Sequence, residues 1–158
     1  MQTAKQLSVS LVNKPGRLAA MLAALNKGKV NFRALSVMDS GDRGTVRFVP
    51  DDLATAGRVL DNLNLRYQPA DVLMVDIPSH SGGFRKVCER LAAEHLNIDY
   101  AYCSFGHEGG VKGGGVAVIK VNDLAKAQKV LSENGASSRR TVSAPRKKLA
   151  VRRALQPR

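Results

Sequence analysis

The residues with the clearest chemical potential are Asn13-Lys14-Pro15-Gly16-Arg17-Leu18, which separate an alternating apolar run, "QLSVSLV", from a helical one. A helix opening at Pro15 leaves the backbone amides of Gly16, Arg17 and Leu18 without intrahelical partners, and the helix dipole adds about half a positive charge there. Such an end suits a carboxylate. Pro15 fixes the angle of the chain and surrenders no useful donor, while Gly16 lets a ligand approach the backbone. The amide of Asn13 offers a donor and an acceptor, enough for a carboxylate or an ammonium group. The plainer alternative is a turn in which Asn13 only caps the helix.

The elements that position this loop occur twice. "NKPGRLAAMLAALNKGKVNF" from Asn13 lies over "SHSGGFRKVCERLAAEHLNI" from Ser79 at a shift of 66 without gaps. Gly16 then meets Gly82 and Asn31 meets Asn97. Leu18, Met21, Leu22 and Leu25 meet Phe84, Val87, Cys88 and Leu91, the spacing of one buried helical stripe. Further on, "DLATAGRVL" from Asp52 matches "DLAKAQKVL" from Asp123 at a shift of 71, with six of nine positions identical. The five extra residues of the second copy fall in the glycine-rich run "GHEGGVKGGG", an insertion in a surface hairpin.

Each copy is predicted as strand, helix, strand, strand, helix, strand. Gly28 stops the first helix, "NFRALSVM" and "TVRFV" are strands joined across "DSGDRG", and a capping acid begins "DDLATAGRVLDNL". "LRYQ" closes the first copy and "ADVLMVDIP" opens the second. Right-handed crossovers favour an α+β fold of two ferredoxin-like βαββαβ repeats, with antiparallel sheets, helices on one face and an extended composite sheet. The expected units are residues 5–70 and 71–135. The second unit's last strand is the weak point, because only "RTVSA", residues 140–144, is at hand for it.

Charge separates a third segment. The formal charge is +12, but residues 136–158 carry eight Lys or Arg and no acid, which leaves +4 for the rest. This basic stretch has the composition of a flexible, solvated tail; its sharper reading is a nonspecific contact with nucleic acid or an anionic surface. No run approaches the roughly 18 apolar residues of a transmembrane segment, and the first residues lack the pattern of a secretory signal, so the expectation is a cytoplasmic protein. Cys88 and Cys103 lack metal or redox spacing and are expected as reduced, packed thiols. No nucleophile motif, metal-ligand cluster or recurring pair of acids is visible, so neither catalysis nor a cofactor or metal is expected. "GHEGGVKGGGV" lacks the ending of a phosphate loop and leads into a strand.

The loop, the duplication and an Asn at the start of each second strand, in "VNF" and "LNI", resemble the ACT domains, and in particular stand-alone proteins of two ACT repeats. The resemblance covers roughly residues 5 to 135. It implies a non-catalytic regulatory or sensor protein that binds a free amino acid where ACT units meet and passes that occupancy to an enzyme partner, a regulator or an oligomeric state; a homodimer is expected. The site it implies comprises Asn13, Lys14, Pro15, Gly16, Arg17, Leu18 and Asn31. The second copy supplies Ser79, His80, Gly82, Gly83, Phe84 and Asn97; having lost the Asn and the Pro, it either binds differently or is purely structural. Two alternatives stand beside this. One is a basic nucleic-acid-binding protein on the same βαββαβ order, with Tyr100 and Tyr102 on one strand face but no aromatic in "GVAVIKV". The other is a regulatory subunit of an amino-acid-metabolism enzyme whose loop binds nothing.

Overall fold

The computed structural model describes residues 1–78, 82–105 and 114–133. The first unit comprises β1 (Gln2–Val12), α1 (Arg17–Lys27), β2 (Phe32–Ser40), β3 (Arg43–Pro50) and α2 (Leu53–Asn62). β4 (Tyr67–Ile77) leads into the second, with α3 (Gly83–Ala93), β5 (Ile98–Phe105), β6 (Gly115–Val121) and α4 (Leu124–Glu133). The glycine-rich run at 106–113, the tail at 136–158 and the strand expected at 140–144 lie outside the described residues.

Local chemistry sets the helix ends. Asp52 caps α2 through the Thr55 amide (3.0 Å), and Asp123 does the same for α4 through Lys126 (2.9 Å). Gly28 closes α1, its amide bonding to Ala24. The first helix starts later than its sequence implies. Pro15 lies in a turn closed by the Arg17 amide on the Lys14 carbonyl (3.2 Å), and Gly16 sits at φ 82 as the N-cap, so α1 begins at Arg17. The left-handed backbone at residue 16 is what glycine permits and an L-residue resists.

The strands form one antiparallel sheet in the order β2-β3-β1-β4-β6-β5. This order reads the same from either edge once each element is matched with its copy. Leu7 opposes Phe48 and Leu11 opposes Gly44; in the second unit Leu73 opposes Ile119 and Ile77 opposes Gly115, the same register at the repeat shifts. β1 and β4 pair along their first eight residues, from Gln2↔Met74 to Val9↔Tyr67. The slot for a fourth strand beside the second unit's first strand is therefore filled by the beginning of β1. The boundary expected at 70/71 falls inside β4, a continuous strand shared by both units.

Leu7, Val9 and Leu11 pack with Met21, Leu25, Ala56 and Leu60 in one core; Leu73, Val75 and Ile77 pack with Val87, Leu91, Ala127 and Leu131 in the other. Leu7 stands opposite Pro69 and Leu73 opposite Thr3, and directly opposed residues of an antiparallel pair share a face. All four helices therefore cover the same side of the sheet. The other side holds a third, smaller cluster around Val49, Val72, Met74 and Val118, the last three on the second unit's strands. No described helix is long and apolar enough to cross a membrane.

Candidate functional site

The start of α1 is the best-formed candidate. Its first amide is taken up by the turn, and the amides of Leu18 and Ala19 have no backbone acceptor among the described residues. Nothing lies within 4 Å of the place a Cβ on Gly16 would occupy, so the backbone is open to an approaching group. Lys14, Pro15 and Arg17 are exposed around it, and Leu18 turns inward against the first core. The loop is anchored by Asn13, whose Nδ2 donates to Asp39 Oδ1 (3.1 Å) and to the Gly41 carbonyl (3.2 Å) on the β2–β3 hairpin. These bonds engage the Nδ2 of Asn13 alone and tie an acid, Asp39, to the loop that leads into α1.

Asn31 is elsewhere. Its backbone amide and Nδ2 donate to Asp51 (3.0 and 2.8 Å), and the Asp51 amide returns a bond to the Asn31 carbonyl (3.1 Å). This clasp joins the start of β2 to the end of β3, and the Asn31 side-chain bond, followed by its backbone amide, holds the Asp51 carboxyl below its ordinary range. Asn13 sits by the hairpin at the opposite end of β3, whose eight residues extend about 25 Å. Within one chain the two asparagines do not meet.

In the second unit Ser79 and His80 lie outside the described residues. Gly82 caps α3 with φ 93, as Gly16 caps α1, but the Arg85 side chain lies 3.6 Å from its Cβ position where the first unit has Ala19. Gly83 is buried against Pro78, where a Cβ would come within 2.8 Å of the carbonyl, and Phe84 packs on the second core. Asn97 makes a similar clasp, its amide donating to Asn122 (3.0 Å) in place of an aspartate.

The most elaborate polar cluster lies on the helix-free face. Gln6 is fully buried there: Nε2 donates to Tyr100 Oη (2.6 Å) and Ser8 Oγ (3.2 Å), and Oε1 accepts from Tyr102 (3.0 Å). β1 and β5 lie three strands apart in the sheet, so these bonds span β4 and β6 to tie the two units together across the seam. Arg47 lays its guanidinium over the Tyr100 ring, 4.3 Å from the centroid. Tyr100 and Tyr102 share a face as their spacing indicated, but Tyr100 presents a ring already covered by Arg47. The Tyr102 hydroxyl is held well above its ordinary range, first by burial and then by Tyr100. Sequence reasoning passed over Gln6 and Arg47. The signal was the repeat itself, which sets Gln6 against Val72 and Arg47 against Val118.

A duplicated βαββαβ module, with one sheet and a bare, positively polarised helix start, defines a class of paired small domains. The model of the ACT domain pair matches residues 2–139, and the chain belongs to that family. A Bacteroides thetaiotaomicron protein is 31% identical over 84% of this chain and 89% of its own, with a TM-score of 0.77. The regulatory subunits of aspartate kinase from Thermus thermophilus and Thermus flavus share the fold at 14% and 15% identity, with TM-scores of 0.58 and 0.59. They are covered over 91% and 97% of their lengths, and this chain over 83% and 87%. Among curated proteins nothing matches. Among the described residues no group of three or more His, Cys, Asp or Glu is placed to hold a metal ion.

Proposed function

We propose that this ACT domain pair is a non-catalytic cytoplasmic sensor that binds a free amino acid at the start of α1 and passes that occupancy to an enzyme partner. The observation that carries this is the open helix start: two unpartnered amides, bare space over Gly16 and the Asp39 carboxylate tied in through Asn13. An α-carboxylate suits the amides and an ammonium group suits Asp39 and the Asn13 carbonyl, so both ends of a zwitterion have a place. The second unit, with Arg85 over its equivalent glycine, is the less open of the two.

A homodimer completes the site. β2 is an edge strand, and it carries Leu35, Val37 and Met38 at 40%, 51% and 50% exposure. Antiparallel pairing of two such edges sets the start of one β2 against the end of the other, beside the Asn13–Asp39 hairpin. The partner's Asn31 then reaches the loop that this chain's own Asn31 cannot. The aspartate kinase regulatory subunits of the same fold support an enzyme as the regulated partner.

Thermal melts against the twenty amino acids test this. A ligand at a hundred times its dissociation constant stabilises the native state by about 2.7 kcal/mol. Asn13→Ala is expected to abolish the shift. If no amino acid at millimolar concentration moves the transition, the sensor reading fails and a regulatory subunit with an empty loop takes its place.

A further inference from the structure

A cavity of about 1080 Å³ lies at the seam between the units, its wall running from the helix-free face of β1 and β3 past the start of β4 to Asp61 of α2. Its wall includes Ser8 and Thr45 on β1 and β3, Arg47 beside them, Tyr100 and Lys120 from the second unit, and Arg66 from the segment before β4. None of the three cations forms an ion pair within 4 Å among the described residues. Arg47 is the most exceptional: its Nε is buried without an acceptor, Nη1 has only the Met38 thioether sulfur (3.0 Å), and the Tyr100 ring lies beneath. Arg47 is half-buried, and a guanidinium partly withdrawn from water without a counter-charge favours an anion that supplies one. Two acids, Asp61 and Asp99, also line the cavity, and they are engaged by Tyr67 (3.4 Å) and Asn97 (3.1 Å).

The fold does not require this polarity. At the repeat shifts Ser8 corresponds to Met74, Thr45 to Val116, Arg47 to Val118 and Tyr100 to Ala34. The second unit has apolar residues in place of Ser8, Thr45 and Arg47 and buries Met74 and Val118, while the first unit has an alanine in place of Tyr100. Beneath the first unit's set, Gln6 has its amide bonded on both sides and locks Tyr100 and Tyr102, so the floor is fixed before any ligand arrives.

We propose that this cavity is a second ligand site, separate from the α1 loop, and that it takes the oxyanion group of a small metabolite, a carboxylate or a phosphoryl group, on Arg47 and Lys120. The outer nitrogens of Arg47 offer the planar fork that such groups prefer, Lys120 adds a point charge, and the Ser8 and Thr45 hydroxyls adjust to remaining oxygens. Because Tyr100 and Lys120 come from one unit and Arg47 from the other, an occupant bridges the seam.

The chain has three tyrosines and no tryptophan, and all three either line the cavity or bond to its floor, so tyrosine emission reports on it directly. Inorganic phosphate and acetate are titrated separately at ionic strength held constant with chloride. A saturable change with either or both supports the site; phosphate alone identifies a phosphoryl ligand and acetate alone a carboxylate. Arg47→Gln is expected to weaken binding about tenfold or more, and Lys120→Gln, at a partly exposed position that folding does not depend on, several-fold. No saturable change from either anion, or equal binding by both variants, overturns the proposal. Asn13→Ala should leave the anion response intact, and Arg47→Gln should leave any amino-acid melt shift intact, so the two sites succeed or fail separately.

Discussion

The two units share one architecture and differ in where they place polarity. On the helix side, Leu7, Val9 and Leu11 of β1 have apolar counterparts Leu73, Val75 and Ile77 in the same register, all buried. On the other side the correspondence fails: Gln6, Ser8 and Arg47 face Val72, Met74 and Val118 at the matching positions. The clasp that closes each sheet also differs, with Asp51 in one unit and Asn122 in the other. Packing against two helices constrains the first set tightly, whereas the helix-free face accepts either an apolar patch or a polar network. Differences between copies are therefore most informative where the scaffold demands least.

The largest test concerns whether the halves are one cooperative body. Phe48 and its counterpart Ile119 are both fully buried, one in each core. Phe48→Ala is expected to cost about 3–5 kcal/mol and Ile119→Ala about 2–5. Since β1 and β4 are shared by both units, each variant should lower a single calorimetric transition. Two separated transitions would show that the units unfold independently despite the common sheet.

A smaller effect is expected at Gln6, where Gln6→Val gives the first unit the residue its copy carries. The Tyr100 and Tyr102 hydroxyls then lose their partner, at a cost of about 1–3 kcal/mol measured by urea denaturation. A neutral result would mean that the two tyrosines find water instead, and that the network is not what fastens β5 over the sheet.

Much of the fold could be read from the sequence because its signals are periodic and repeated. The 66-residue shift paired the first helices of the two units, and the paired DLA motifs located the second helices. Four features escaped for physical reasons. The late start of α1 follows from a turn closed by the Lys14 carbonyl, which an acceptor-blind pattern does not contain. Filling of the second unit's fourth slot by the start of β1 is a long-range pairing, and no local propensity encodes it. The separation of Asn13 from Asn31 arises because β1 and β2 run parallel, with β3 between them, so the end of one lies far from the start of the other. The burial of Gln6 under Tyr100 and Tyr102 is likewise a contact between distant strands, which the alternation of its own strand does not contain.

The clasps offer a comparison by pH. Asn31 depresses the Asp51 carboxyl, so the stabilisation is fully present above the unfolded value, about 3.9, and is lost as the pH falls through the lower folded value. Asn31→Ala should therefore lower the melting temperature at neutral pH and flatten its fall below about pH 4. Asn122→Ala removes the neutral side-chain acceptor of the second unit's clasp and should leave the acid limb unchanged. An equal change in both variants would place the acid sensitivity outside the first unit's clasp.

The smallest effect belongs to the seam itself. At the 66-residue shift Lys5 corresponds to Asp71, and these two residues stand directly opposite each other in the β1–β4 pairing. The position thus lies on the axis that relates the units, where two identical copies would set a side chain against itself. Like charges opposed across an antiparallel pair destabilise it. Here the copies carry opposite charges, with Lys5 Nζ 2.7 Å from Asp71 Oδ1, both side chains about half exposed. An exposed pair of this kind contributes about 0.2–1 kcal/mol, less at high salt. Lys5→Asp alone and Asp71→Lys alone should each destabilise by more than that, because each restores a like-charge contact, and the exchanged pair should recover most of the loss. A double-mutant cycle in urea at low and high salt measures it. Recovery in the exchanged pair would show that the fused chain relieved a conflict built into its own symmetry, whereas additive losses would leave Lys5 and Asp71 as independent surface charges.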